Sequence, residues 1–386
     1  MTPLSRSDRS ALGQWFWTID KVLLTLVFAL MGAGIIAVAA ASPAAAQRLS
    51  GGKLVIDALH YLNQQILWVL IGIPLMLAVS MLSVAWAKRA GIALTIMCLA
   101  ALMLVPLIGF EKNGAMRWIA VAGFQLQPSE FLKPAFIIAS AWLLALRFDD
   151  RSLPTMQANA ALLAIIGFLL VRQPDYGQTV LFAAVWIVQA MLAGMSGWVL
   201  GGFVAAGAAG GGIAYLSVDH FSQRIDQFVL GKGNTFQIDR ALDCFRAGGI
   251  FGAGPGEGQM KFRLPEPHTD YIFSVIGEEF GMIACLGIAA LYIAIVVRVF
   301  LTLLDEEEPF ILLAAAGLAT QFGLQAAINM AVNLKMLPSK GMTLPFISYG
   351  GSSFLALSLG MGLLLALTRR NPFAKASPYV ERWRAG

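Results

Sequence analysis

The sequence predicts an all-α, polytopic integral membrane protein with about ten transmembrane helices, and three observations carry that prediction. Of the 386 residues, 58% are hydrophobic and only 13% charged, against about 25% charged in an ordinary soluble domain. Uninterrupted apolar runs of about 20 residues, the length a helix needs to cross roughly 30 Å of hydrocarbon, recur along the whole chain. The ten-residue, period-two segments of a transmembrane barrel are not seen. By length the chain would otherwise make two or three soluble domains, but it lacks the polar residues to cover them.

The runs place spans at 18–41, 66–86, 91–109, 131–147, 158–172, 178–194, 198–217, 272–302, 310–334 and 345–368. Arg6, Arg9 and Lys21 precede an apolar run that ends in Ala44-Ala45-Ala46, which superficially resembles a secretory signal and its cleavage site. That run exceeds the usual apolar region of a signal peptide and many spans follow, so it reads as a retained helix. The fifth and sixth spans are short and separated by Gln173-Pro174-Asp175-Tyr176-Gly177.

An even number of spans puts both termini on one side. Arg6 and Arg9, Lys88-Arg89, Arg147, Arg151 and the tail with Arg369, Arg370, Lys375, Arg382 and Arg384 then all face the cytoplasm, as positively charged loops do. The acidic run Asp305–Glu308 falls there too, but acids count little in that rule. Segments 42–65, 110–130, 173–177, 219–271 and 335–344 lie opposite. The chain thus reads as one transmembrane domain with a cytoplasmic N-terminal tail (1–17), a large extracytoplasmic loop (219–271) and a basic cytoplasmic tail (369–386).

The net charge of +5 is explained by these anchors, so no nucleic-acid partner is inferred. Cys98, Cys244 and Cys285 show no CxxC spacing, which indicates neither a zinc site nor a disulfide framework. Within the large loop, Ile238, Leu242 and Phe245 share a helical face and Gly248-Gly249 ends the pattern. That predicts a short amphipathic helix on the membrane surface. The glycine-rich stretch 252–258 fits neither phosphate-binding fingerprint and reads as a turn.

Ionisable residues near a membrane are costly and usually face a cavity or one another. Four outer-side places concentrate them. The first holds Arg117-Trp118 and Gln127-Pro128-Ser129-Glu130, with Pro128 starting a helix and Glu130 three residues from Lys133. Glu130 and Lys133 can pair as a structural ion pair or within a site. Arg117 is either an interfacial anchor or a guanidinium for phosphate. The second is the turn 173–177, where Asp175 could simply cap the next helix.

The third place runs from Lys261 to Asp270 and includes Arg263, Glu266 and His268. Asp270 could be a plain N-cap, but capping requires neither His268 nor Lys261; Glu278-Glu279 follows about two turns on. The fourth comprises Asn329, Asn333, Lys340 and Ser348 to Ser353. Together these imply an anionic, lipid-linked substrate met at the outer face, with basic side chains holding phosphate and a carboxylate as base. That is a sufficient recipe for group transfer.

The same places carry a resemblance to a known family. GAMRW at 114–118, QPSEFLK at 127–133, QPDYG at 173–177, LPEPHTDYIFSVIGEE at 264–279 and LPSKGMTLPFISYGGSS at 337–353 resemble, in order and spacing, the SEDS proteins of shape, elongation, division and sporulation. Ile276 to Glu279 and Ser339-Lys340-Gly341 resemble the cell-division branch more than the elongation branch. Tyr271, Pro267 and Met116 depart from the commoner residues, as does Gly231 to Asn234 in the outer loop.

The resemblance implies a peptidoglycan glycosyltransferase of the bacterial inner membrane that polymerises lipid II at the division septum and releases undecaprenyl pyrophosphate. Asp270 matches the family's catalytic aspartate, and Glu130 and Lys133 its cavity ion pair. Arg117, Lys261 and Lys340 are added by chemistry as candidate pyrophosphate contacts. Asp175, Glu266, His268, Ser352 and Ser353 complete the candidate substrate-binding set. A divalent cation, magnesium or manganese, could neutralise the leaving group, though no ligand set establishes one. The implied partners are a class B penicillin-binding protein and other divisome membrane proteins. Two alternatives stay open, a lipid II flippase and the elongation-type polymerase. Transporter sites lie near the bilayer midplane, whereas this cluster is mainly at the outer face.

Overall fold

The computed structural model describes residues 10–50, 56–112, 115–121, 124–217, 222, 226, 236–338 and 341–369. Eight helices are long and apolar enough to span a membrane: α2 (Lys21–Leu49), α3 (His60–Ser80), α4 (Val84–Ile108), α5 (Pro128–Asp149), α6 (Thr155–Arg172), α8 (Gly197–Ser217), α10 (Ile272–Leu303) and α11 (Pro309–Asn333). Two shorter apolar helices, α7 (Tyr176–Leu192) and α12 (Gly351–Leu367), bring the set to the expected ten. The protein is a multi-pass membrane protein. The described residues also form two more α-helices, α1 (Ala11–Thr18) and α9 (Phe236–Gly248), and a short 3-10 helix at Met260–Arg263.

Local chemistry sets the ends. Asp20 caps α2 by accepting from the amides of Val22 and Leu23, groups a helix start otherwise leaves unpaired. Helix α1 lies where an N-terminal tail was expected, and its Trp15 indole donates to Ser80 Oγ at the end of α3 (2.8 Å). Three further boundaries differ from expectation. Helices α3 and α4 meet at Met81 to Ser83 rather than beyond residue 86, because Ser83 accepts from Trp86 N and starts the new helix. Lys88 and Arg89 therefore sit inside α4, their cations over the rings of Phe310 and Trp86. The last span begins at Gly351. Pro345 and the left-handed Phe346 (φ 61°) keep the preceding residues out of the helix.

Between α4 and α5 stands an unanticipated antiparallel sheet, β1 (Phe110–Lys112), β2 (Ala115–Val121) and β3 (Phe124–Leu126). Phe110 pairs with Trp118, and Ala120 with Gln125. At the centre, α5 and α11 are largely enclosed and pack on each other, with α4, α7, α10 and the equally buried α12 around them.

Helix α10 is broken. Gly281 adopts φ 79°, ψ −177°, and the helix resumes beyond it. The loop after α9 fills the break. Ala253 N and Gly254 N donate to the carbonyls of Glu278 and Glu279 (2.8 and 3.1 Å), while Met282 N and Ile283 N donate to Gly249 and Ile250 (3.0 and 3.3 Å). The interrupted helical bonds are thus replaced by an inserted segment, a recognised cause of sharp kinks. A Cβ on Gly281 would stand 2.4 Å from Gly252 N, so the site needs glycine for space as well as for φ.

Helix α9 forms as expected but packs along the first half of α10 rather than only on a surface. Its buried stripe is Ala241, Cys244 and Gly248, with Phe245 edge-on to Phe273. Small residues win over the bulkier expected face because they allow contact: a Cβ on Gly248 would lie 2.0 Å from the Gly277 carbonyl oxygen.

Candidate active site

The four polar segments converge. Strand β2 brings Arg117 to the α6–α7 turn, where its Nε donates to the Gln173 carbonyl (3.0 Å) and Nη2 to that of Pro174. Its Nη1 lies 3.8 Å from Asp175 Oδ1, and the guanidinium stays partly exposed. Asp175 is buried, and burial raises its carboxyl pKa. The Arg117 charge opposes the rise and Glu130 adds to it. Gln127 Nε2 also reaches Asp175, at 3.5 Å.

Beneath lies a closed polar network. Glu130 and Lys133, one helical turn apart on α5, form a buried ion pair at 2.8 Å. Glu130 also accepts from Gln178 Nε2 of α7 (2.7 Å) and Ser353 Oγ of α12 (3.0 Å). Lys133 donates to Gln325 Oε1 of α11 (2.9 Å). Both ions are thus paired and hydrogen-bonded, as burial demands. Ser353 also pairs with Thr343 Oγ1 at 2.8 Å. Ser352 is buried beside it, its hydroxyl bonded to none of the described residues.

Asp270 precedes α10 and is only partly enclosed. None of the described residues donates to its carboxylate; Gly341 lies against it, so that an added Cβ would stand 3.4 Å from Oδ2. Its pKa is raised to about 7, by burial first and by the Glu266 charge second, with Arg117 opposing. Glu266 is exposed, has left-handed backbone (φ 52°) and accepts from the Thr269 hydroxyl (2.9 Å). His268 stacks against Tyr61 (4.2 Å between centroids) and Tyr349 (5.4 Å).

Lys261 is placed differently. Its buried ammonium pairs with Glu279 and donates to the Ala40 carbonyl (3.1 Å). Glu278 accepts from the amides of Met260 (2.6 Å) and Lys261 (2.8 Å), and Glu279 from Gly256 N. These charges bind the loop of residues 249–263 into the break of α10. Lys340 lies outside the described residues.

Several participants escaped the sequence reading. Gln178, Gln325 and Thr343 complete the buried network. Asn329 and Asn333, noted but given no role, both donate to the Asp270 carbonyl, each at 2.9 Å. The signal was available: Gln321, Gln325, Asn329 and Asn333 recur every four residues and so line one face of an otherwise apolar helix. No group of three or more His, Cys, Asp or Glu among the described residues is placed to hold a metal ion.

Comparison with known proteins gives concordant results. The family model for FtsW, RodA and SpoVE, described as cell cycle protein, matches residues 21–372. A probable peptidoglycan glycosyltransferase FtsW of Caulobacter vibrioides is 43% identical over 373 residues, covering 96% of this chain and 94% of that protein. A probable peptidoglycan glycosyltransferase FtsW of Trichlorobacter lovleyi is 36% identical, covering 90% of this chain and 93% of its own. Among solved structures, a chain from a peptidoglycan synthase complex that coordinates polymerization and crosslinking superposes with a TM-score of 0.73 at 25% identity, covering 91% of this chain and 97% of that one. The rod shape determining protein RodA of Thermus thermophilus gives 0.64 at 27% identity, over 91% and 96% of the two chains.

Proposed function

Because the chain belongs to the FtsW/RodA/SpoVE family of cell cycle proteins, we propose that it is a peptidoglycan glycosyltransferase. It polymerises lipid II into glycan strands at the division septum, with both termini cytoplasmic. It works beside a class B penicillin-binding protein and other divisome membrane proteins. The observation that carries the reading is the placement of the Asp270 carboxyl, partly accessible and given no hydrogen bond by the described residues while its backbone carbonyl is held by Asn329 and Asn333; burial and the Glu266 charge raise its pKa to about 7. A general base is most effective when its pKa lies near the working pH.

In this mechanism ionised Asp270 takes the proton from the acceptor sugar's 4-hydroxyl as that oxygen attacks the anomeric carbon of the donor. The donor's bond to oxygen breaks, its electron pair leaves on undecaprenyl pyrophosphate, and Asp270 later loses the proton to water. Arg117, partly exposed and within the field of Asp270, offers donors suited to pyrophosphate oxygens, and Lys340 adds a second cation. Lys261, held by Glu279, serves the loop instead.

The test is lipid II polymerisation by the purified protein with its cognate class B partner. Asp270→Asn should lower the rate by at least about a hundredfold, the scale of a lost general base, with the complex intact. Equal rates would remove Asp270 from the chemistry. The buried Glu130–Lys133 pair inside the bundle would also suit transport. If neither protein polymerises and both move lipid II between leaflets of vesicles, the flippase reading replaces this one.

A further inference from the structure

We propose that Asn329 and Asn333 are positioning residues that hold Asp270 at its reacting place from the neighbouring helix; this rests on the reading of Asp270 as the base. The three carbonyls of His268, Thr269 and Asp270 are each taken by a donor from outside their own segment. Tyr349 N donates to His268 (2.9 Å) and Ser348 Oγ to Thr269 (2.6 Å). Asn329 and Asn333 share the carbonyl of Asp270 at 2.9 Å each. The backbone that carries the carboxylate is therefore fixed residue by residue, while the carboxylate itself receives no bond from the described residues.

Asn333 has a second duty. Helix α10 starts after Tyr271, whose side chain makes no capping bond. Asn333 Oδ1 accepts from the amide (3.1 Å) and hydroxyl (2.7 Å) of Ser274. Ser274 is the third residue of α10, the one an N-cap side chain ordinarily serves. A side chain of α11 thus caps α10 and clamps Asp270, two residues before its first turn. Asn329 also donates to the Met342 carbonyl (2.7 Å), fixing the segment whose Gly341 lies against the Asp270 carboxylate. Both amides are almost fully buried.

The clamp continues the amide row of α11. Gln321 donates to Gln325 (3.0 Å), and Lys133 donates to the same Gln325 oxygen. One helix face therefore joins the Glu130–Lys133 pair to the backbone of Asp270. Misplacing a reacting group by about 1 Å can cost a hundredfold in rate, and these two amides are what prevents it here.

The experiment measures polymerisation of lipid II by the full-length protein with its class B partner, on the alkaline side of the pH profile. Asn329→Ala and Asn333→Ala should each lower kcat by about ten- to a hundredfold, the scale of a small misplacement, with KM for lipid II unchanged. Ser274→Ala removes only the capping partner and should keep kcat within a few fold. Wild-type kcat in both asparagine variants would overturn the proposal, as would a loss in Ser274→Ala equal to that in Asn333→Ala. If either alanine variant fails to fold, Asn329→Ser, which removes the reach of the amide with less lost packing, is read the same way. Asp270→Asn run alongside separates the two claims. Its retention of activity defeats the base assignment, whereas its inactivity beside fully active asparagine variants defeats only the positioning one.

Discussion

Two stretches of the segment between α9 and α10 carry similar charges and end in opposite conditions. Around Lys261 the buried charges are answered: the ammonium by Glu279 and Ala40, the carboxylates of Glu278 and Glu279 by the Met260, Lys261 and Gly256 amides. Nine residues further on, Asp270 has its backbone held and its carboxylate bonded to none of the described residues. The first arrangement spends its polar groups on closing the break in α10. The second leaves one carboxylate available and pushes its pKa to about 7. Charge crowding in a sequence therefore marks a place that needs explanation, and only the partners decide whether it is scaffold or chemistry.

Substitutions on either side can break that comparison. Asp270→Asn carries the largest effect on rate, about a hundredfold or more, without loss of folded complex. Lys261→Ala should behave in reverse: it leaves Glu279 buried and unpaired, which costs about 3–5 kcal/mol. Thermal unfolding would then drop sharply, while the surviving folded fraction polymerises normally. A Lys261→Met, Glu279→Leu double substitution should recover most of the stability, because a buried pair is often replaceable by apolar groups. Failure of the double variant to fold better than Lys261→Ala would show that the loop needs the charges themselves.

A third effect concerns how stability depends on pH. Asp270 binds its proton more tightly in the folded protein than in the unfolded chain, where an aspartate titrates near 3.9. Its contribution is fully present below the unfolded value and is lost as pH rises through about 7. Asp270→Asn should accordingly unfold at a higher temperature than wild type above pH 7 and not below the unfolded value. An unchanged difference across that window would contradict the burial assigned to this carboxyl.

The spans were legible because apolar length is an additive signal that survives small errors at the ends. The boundaries that moved did so for particular reasons. Lys88 and Arg89 look like a loop but lie along α4 over aromatic rings, and the apolar residues at 344–347 look helical but contain Pro345 and left-handed Phe346. The sheet at 110–126 was hidden because strands of three and seven residues give little periodicity. Within the site, the pairing of Glu130 with Lys133 followed from local spacing, whereas that of Arg117 with Asp175 joins distant segments and needed the fold. The amides of α11 did not, because neutral side chains barely lower the apolarity of a span. Their purpose appears only when Asp270 and Ser274 are set beside them.

The central claim, that Asp270 is the base, is tested most directly by the pH dependence of the polymerisation rate in wild type and in Glu266→Gln. A required deprotonation makes the rate climb with pH and level off above about 7. The Glu266 charge helps to raise that value, so Glu266→Gln should move the inflection to lower pH while keeping the plateau. An inflection that is absent, or that stays in place when Glu266 loses its charge, would contradict the assignment.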